Sequence, residues 1–367
     1  MTNETTRREA LIGIGAVAGL AALPQAACAQ PGRKLGYAIV GLGSYATNQI
    51  MPSFARCQHS RIAALVSGTS EKLARYGAEY DVPEKNRYSY ATFDRIADNP
   101  DVDIVYVILP VSMHAEYSIR ASKAGKHVMC EKPMAPTARE CEAMVAAAAG
   151  AGKKLMIGYR SRFQPHNVAA IELCRTKAIG DLKMIRTAHG FPIQPNQWRL
   201  DHKMSGGGSM MDIGIYSLQA ARYLAGEEPV EVTAVESTDR RDPRFATVED
   251  RIDFTLRFPS GLLASCISSY SSSHNEYRAI GSDGWIELEP ATAYRGQAMR
   301  VRRNGATSTP NIDTSGPDQF VGQLDHLAQC IRDNRTPIVP GEEGLRDIRI
   351  IEAIYRSMRE KRAISLT

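Results

Sequence analysis

The chain has 367 residues, room for about two domains. Apolar residues make up 43% and charged residues 23%, which excludes a disordered or low-complexity chain. The net charge of +5 comes from scattered residues rather than basic blocks and excludes an obvious nucleic-acid partner.

In chain order, residues 1–29 read as a targeting segment. Arg7-Arg8 precedes an uncharged stretch from Leu11 to Leu23, and Ala27-Cys28-Ala29 is a small-x-small cleavage pattern that puts the mature start near Gln30. The apolar stretch is shorter than the ~20 residues of a bilayer span, so no membrane anchor is expected. A twin arginine resembles the signal of the pathway that exports folded proteins, which implies a periplasmic location and a cofactor loaded before export.

Strand-like runs follow at 34–40, 61–67, 88–90, 103–109, 127–130 and 155–159. Helix-like segments at 48–57, 70–80, 93–98, 114–124 and 137–151 alternate with them. Strict alternation predicts a parallel, doubly wound Rossmann sheet over 34–157. From 158 to 367 the texture changes. Longer runs at 183–190, 230–237, 250–258, 262–270, 276–281 and 285–289 alternate apolar and polar residues, with turns at Pro259-Ser260-Gly261 and Ser282-Asp283-Gly284. They predict a large, mostly antiparallel sheet with one open face, and helices at 320–332 and 342–361 close an α+β domain. The fold class is therefore α/β with a second, α+β unit. The seven cysteines form no CxxC pair and no Cys/His cluster of zinc spacing, so buried reduced thiols and no metal are expected.

Four elements carry chemistry. Gly41-Leu42-Gly43-Ser44-Tyr45-Ala46 lies between the first strand and first helix, where glycines allow close approach of a pyrophosphate to free helix N–H groups. At the end of the second strand, dinucleotide enzymes that use NAD place an acid for the ribose hydroxyls. Here Ser67 stands there, with Lys72 and Arg75 following, which suits the 2′-phosphate of NADP. Glu131-Lys132-Pro133 ends the fifth strand at the ligand-binding edge of such a sheet. Gly206-Gly207-Gly208 leads into a helix carrying Asp212 and Tyr216, on one face at i, i+4 spacing.

Together these elements resemble the Gfo/Idh/MocA oxidoreductase family over residues 34–367. The run from His114 through Gly125-Lys126-His127-Val128 to Glu131-Lys132-Pro133 and the segment Asp212–Tyr216 carry the likeness. Tyr216 stands where most of the family has histidine. That departure resembles the glucose–fructose oxidoreductase branch, as do Tyr159-Arg160-Ser161-Arg162-Phe163 and the Ser67…Lys72 spacing. Only Gln30–Arg33 separate the targeting segment from the first strand, so the long arm of the glucose–fructose enzyme has no counterpart, and the chain is most similar to the aldose–aldose oxidoreductases, which lack it.

The resemblance implies a tightly bound NADP(H) contacted also by Tyr90, Leu109, His114, Glu131, Lys132, Arg160, Trp198 and Arg199. It implies Lys132, Asp212 and Tyr216 as catalytic residues, with Arg160 joining them around an aldose. Oxidation at C1 would give an aldonolactone, and a second aldose would leave as alditol. An ammonium beside a phenol favours the phenolate, which makes a tyrosine a competent base. A homodimer through the open sheet face is the expected assembly. Other readings keep the fold: an ordinary NADP-dependent aldose 1-dehydrogenase, an NAD-dependent glycoside hydrolase, or a sugar-binding protein with a relic site.

Overall fold

Short, mostly buried strands build the first sheet. They are β1 (Leu35–Val40), β2 (Ser60–Val66), β3 (Arg87–Tyr88), β4 (Ile104–Val107), β5 (His127–Cys130) and β6 (Leu155–Ile157). The structure, a computed structural model, describes residues 32–366, so the expected export segment with Arg7, Arg8 and Cys28 lies outside the described residues. All pairings in this sheet are parallel, in the order β3-β2-β1-β4-β5-β6. The strand order reverses beside β1, which opens a crevice at the carboxyl ends of β1 and β4. Every residue of β1 and β4 is buried, as expected of strands covered on both faces.

Crossovers are made by a π-helical turn Ala46–Ile50 running into α1 (Met51–Ser53), and by α2 (Ser70–Glu79), α3 (His114–Lys123) and α4 (Ala138–Gly150). The helix expected at 93–98 is a 3-10 segment, Tyr90–Asp98, started by a reciprocal Ser89/Thr92 cap. Next come α5 (Pro165–Arg175), α6 (His202–Ser205) and α7 (Ile215–Ala225).

The second sheet contains β7 (Leu182–Gly190), β8 (Glu231–Ser237), β9 (Arg251–Arg257), β10 (Leu263–Ser269), β11 (His274–Gly281), β12 (Gly284–Leu288), β13 (Met299–Arg303), β14 (Ala306–Ser308) and β15 (Ile364–Ser365). Their order is β14-β13-β12-β11-β7-β10-β9-β8-β15. Only β7 and β10 pair in parallel, so the sheet is mixed and mostly antiparallel. One face packs on α7: Ser217 donates to Ile267 O at 2.8 Å and receives Thr187 Oγ1 on its own carbonyl at 3.2 Å. The other face forms a broad basin of about 1170 Å³ that includes Arg186, Thr255, Glu276 and Arg278.

The last two helices return to the first sheet. α8 (Gln319–Arg332) covers one of its faces, with Phe320, Leu324 and Leu327 packed among Tyr37, Ile39 and Tyr106. Tyr37 OH donates to Leu324 O at 2.7 Å. α9 (Gly341–Glu360) spans from α4, where Glu352 accepts from Ala138 N at 2.8 Å, to β8, where Ser357 Oγ accepts from Ala234 N at 3.0 Å. All six described cysteines are free and buried. Among the described residues no helix is long and apolar enough to cross a membrane.

Candidate active site

The crevice at the carboxyl edge of the first sheet is a cavity of about 990 Å³. Gly41 through Tyr45 form one wall. Gly41 has φ +97°, and a Cβ there would lie 2.3 Å from Ile108 O, so only glycine fits. A Cβ on Gly43 would meet no atom within 4 Å, so that glycine leaves open space rather than relieving a clash. The turn thus presents bare backbone and the following helical N–H groups to the cavity, a cradle that fits a dinucleotide pyrophosphate.

Beyond β2, Ser67 is buried and accepts from Thr69 N at 3.1 Å. Lys72 crosses from α2 to the glycine turn, its Nζ donating to Leu42 O at 2.9 Å. Both line the cavity, as do Tyr90 and Leu109. Among the described lining residues the carboxylates are Glu131 and Asp212, both remote from the end of β2.

Lys132, Asp212 and Tyr216 converge although they lie on different elements. Lys132 follows β5 and makes a cis bond to Pro133. Its Nζ donates to Asp212 O at 2.5 Å and to Asp212 Oδ1 at 3.4 Å. The same ammonium lies 4.9 Å from the centre of the Tyr216 ring, over its face. Arg160 approaches that ring too, with Cζ at 5.1 Å. The aromatic face therefore carries two cations.

Asp212 is clamped from several sides. Arg199 Nε lies 3.0 Å from its Oδ2 as an ion pair, and Tyr270 OH donates to the same oxygen at 3.1 Å. Burial pushes the Asp212 carboxyl up, but Lys132 and Arg199 outweigh it and hold the group below its ordinary value. Asp212 sits in a π-helical turn, Met210–Gly214, ahead of α7. Such turns open the helical ladder and re-aim side chains.

The glycine run explains itself by contact. A Cβ on Gly207 would lie 2.2 Å from Tyr355 OH, and one on Gly208 would lie 2.1 Å from Glu249 O. Glu249 accepts from Gly208 N at 2.8 Å, Met210 N at 2.9 Å and Tyr355 OH at 2.9 Å, and so fixes the start of the helix that carries Asp212. Burial pushes its carboxyl up against the pull of those bonds.

Glu131, Trp198 and Arg199 line the cavity. Arg160 lines it as well, but its guanidinium is bound to the protein: Nη2 donates to Thr292 O and Nη1 to Gln319 Oε1, each at 2.6 Å. Two expected cofactor residues are not brought to the cavity. His114 lies beneath its wall, 1% exposed, with Nδ1 2.9 Å from Pro133 O and Nε2 2.8 Å from Leu109 O. It ties together two segments that do line the site. Arg75 lies on the exposed side of α2, its guanidinium 5.0 Å from the Tyr76 ring centre.

Sequence reasoning missed Tyr270, Glu249 and Tyr294. Tyr294 lines the cavity beside Arg160, whose Cζ is 4.8 Å from its ring centre. It sits in an irregular stretch after β12 with no periodic signal. Tyr270 and Glu249 flank strands and read as ordinary ends of alternating runs.

A parallel sheet with a glycine cradle at its switch point and a Lys–Asp–Tyr cluster opposite defines a dinucleotide-dependent enzyme. Two family models match: "Oxidoreductase family, NAD-binding Rossmann fold" over residues 35–159 and "Oxidoreductase family, C-terminal alpha/beta domain" over residues 171–366. The chain belongs to the Gfo/Idh/MocA oxidoreductase family. It is 31% identical to a D-xylose 1-dehydrogenase [NADP(+)] of Haloarcula marismortui over 338 residues, covering 90% of this chain and 92% of that protein. It is 27% identical to a 1,5-anhydro-D-fructose reductase of Ensifer adhaerens, covering 84% of this chain and 92% of that protein. Among solved structures it is similar to an aldose–aldose oxidoreductase of Caulobacter crescentus complexed with glycerol. That structure matches with TM-score 0.90 and 61% identity, covering 91% of this chain and all of the other.

Proposed function

We propose that the protein is an NADP-dependent aldose oxidoreductase that oxidises one aldose at C1 to the aldonolactone and reduces a second to the alditol, on a tightly held cofactor. The observation that carries the reading is the convergence of Lys132, Asp212 and Tyr216 on the cavity that also contains the glycine cradle, Ser67 and Lys72. The serine and lysine beyond β2, where NAD enzymes have an acid, favour NADP over NAD and speak against the NAD-dependent hydrolase. The 61% identity to an aldose–aldose oxidoreductase supports the two-sugar cycle.

A bound nicotinamide supplies the acceptor and donor of hydride. The residues of this chain handle the proton and the sugar. Tyr216 takes the proton of the C1 hydroxyl while Lys132 and Arg160, over its ring, favour the negative charge that develops on its oxygen. Asp212, ionised between Lys132 and Arg199, accepts a hydrogen bond from a neighbouring sugar hydroxyl and sets the ring in register. In the second half-reaction Tyr216 returns its proton to the carbonyl oxygen of an open-chain aldose.

Export in folded form by the twin-arginine segment and assembly as a homodimer through the open sheet face complete the proposal. The basin on that face exposes Val235, 70% accessible, among charged residues. In a compartment without free dinucleotide, a retained cofactor cycling between two sugars is what sustains turnover.

The D-xylose 1-dehydrogenase relative favours a second reading, an ordinary dehydrogenase. One experiment separates them. Purified protein is incubated with one aldose and no added cofactor, and products are quantified. Equal aldonic acid and alditol in many-fold excess over protein is the expected result. Oxidation only after NADP is added would establish the dehydrogenase instead.

A further inference from the structure

Two of the ionisable side chains that line the cavity, Arg160 and Glu131, are held from behind by one helix. Gln319, the first residue of α8, accepts from Arg160 Nη1 at 2.6 Å and donates through Nε2 to Tyr294 O at 2.7 Å. One turn later Gln323 donates through Nε2 to Tyr106 OH at 3.2 Å. That hydroxyl donates to Glu131 Oε1 at 2.5 Å, and Glu131 Oε2 accepts from Lys132 N at 3.2 Å. Gln319 is 2% exposed and Gln323 fully buried. Their i, i+4 spacing puts both amides on one face of α8. Asp318 caps this helix, accepting from Phe320 N and Val321 N at 3.0 Å each, and pairs with Arg56 at 2.5 Å.

We infer that Gln319 and Gln323 are positioning residues: Gln319 fixes Arg160 against Tyr216, and Gln323, through Tyr106, fixes the Glu131 carboxylate. The inference rests on the reading of the cavity as a dinucleotide and sugar site. A buried amide is unfavourable unless it is bonded, and an apolar side chain of the same volume would pack there without that penalty. Gln323 Oε1 is left buried with no partner, so its position follows from what Nε2 holds rather than from its own satisfaction. Arg160 gains from this a fixed fork. With Nη1 on Gln319 and Nη2 on Thr292 O, its planar face has one orientation, 5.1 Å from Tyr216 and 4.8 Å from Tyr294. Glu131 keeps acceptor capacity for a hydroxyl in the cavity, since Tyr106 and Lys132 N each occupy one lone-pair site on its two oxygens.

Two double-mutant cycles on the full chain test this, Gln319→Met with Arg160→Lys and Gln323→Leu with Tyr106→Phe. Three quantities are read: thermal midpoint, NADP(H) affinity from quenching of protein fluorescence, and kcat and KM for an aldose. Gln319→Met is expected to lower kcat about tenfold or more, the scale of a lost bond to a charged group, and to leave NADP(H) affinity unchanged. In the Arg160→Lys background it costs nothing further. Gln323→Leu and Tyr106→Phe are each expected to weaken NADP(H) binding about tenfold, with no further loss in the double variant. Additive losses, or lower thermal midpoints with kcat and affinity unchanged, would overturn the inference while the wild-type chain binds and turns over. A wild-type chain that binds no NADP(H) would overturn the functional reading and the inference with it.

Discussion

Replacing Tyr216 by phenylalanine removes a single oxygen. The ring stays in its buried place, 7% exposed, and keeps Lys132 at 4.9 Å and Arg160 at 5.1 Å over its face. Packing is therefore conserved, and the thermal midpoint is expected to move by no more than about 1 kcal/mol of stability, the net worth of one ordinary hydrogen bond. The glycine cradle and Lys72 are untouched, so NADP(H) affinity is expected to match the wild type. Only the proton acceptor is gone. A placed acid–base group typically contributes about 10²–10⁴-fold. At ~1.36 kcal/mol per tenfold, that is roughly 2.7–5.4 kcal/mol of barrier. The assay is single-turnover reduction of bound cofactor by an aldose, followed by nicotinamide absorbance, with affinity measured in parallel. A loss of 10²-fold or more with unchanged affinity is the expected result. A rate within about threefold of wild type would refute the role of Tyr216 and shift the proton to another group at the cavity.

Other perturbations address the rest of the site. Ser67→Ala combined with Lys72→Ala is expected to weaken NADP(H) retention through gel filtration without changing NAD(H) affinity; equal retention would place the 2′-phosphate contact elsewhere. Gly208→Ala puts a methyl 2.1 Å from Glu249 O and is expected to destabilise by about 1–3 kcal/mol, read as a lower calorimetric midpoint. Acid should destabilise the fold through buried histidines. Burial with Arg160 lowers His189 to about 3, and burial with Lys153 and Lys154 lowers His127 to about 4. Because both folded values lie below the unfolded ~6.5, their stabilising effect is full above that pH and is lost as pH falls toward the folded values. Between pH 7 and 5 the urea midpoint of the wild type should therefore fall relative to that of His189→Asn. Identical pH profiles for the two proteins would contradict burial of His189 in its neutral form.

The glycine turn at 41–46, the strand ending in Glu131-Lys132-Pro133 and the helix of Tyr216 were legible in the sequence. Each is a local object: spacing along one strand, turn or helix decides it, and a buried parallel strand announces itself by an unbroken apolar run. The alternation of the first half and the longer alternating runs of the second gave the fold class for the same reason. Periodicity gave no view of pairing, so the parallel contact of β7 with β10 inside a mostly antiparallel sheet came only from the structure.

The site's supporting groups were equally hidden. Tyr270 reaches Asp212 across 58 positions, Gln319 reaches Arg160 across 159, and Gln323 reaches Tyr106 across 217. Arg75 and His114 lie off the cavity lining, and spacing cannot tell a side chain at the cavity from one turned to solvent or beneath its wall. The sequence by itself determined the class of sheet, the cradle and the residue types that meet there. Tertiary structure decided which cations and hydroxyls hold them in place, because those contacts join segments far apart in the chain, Arg199 and Tyr270 on Asp212 and the amides of α8 on Arg160 and Tyr106, and are set by complementary side chains and not by any repeat along the chain.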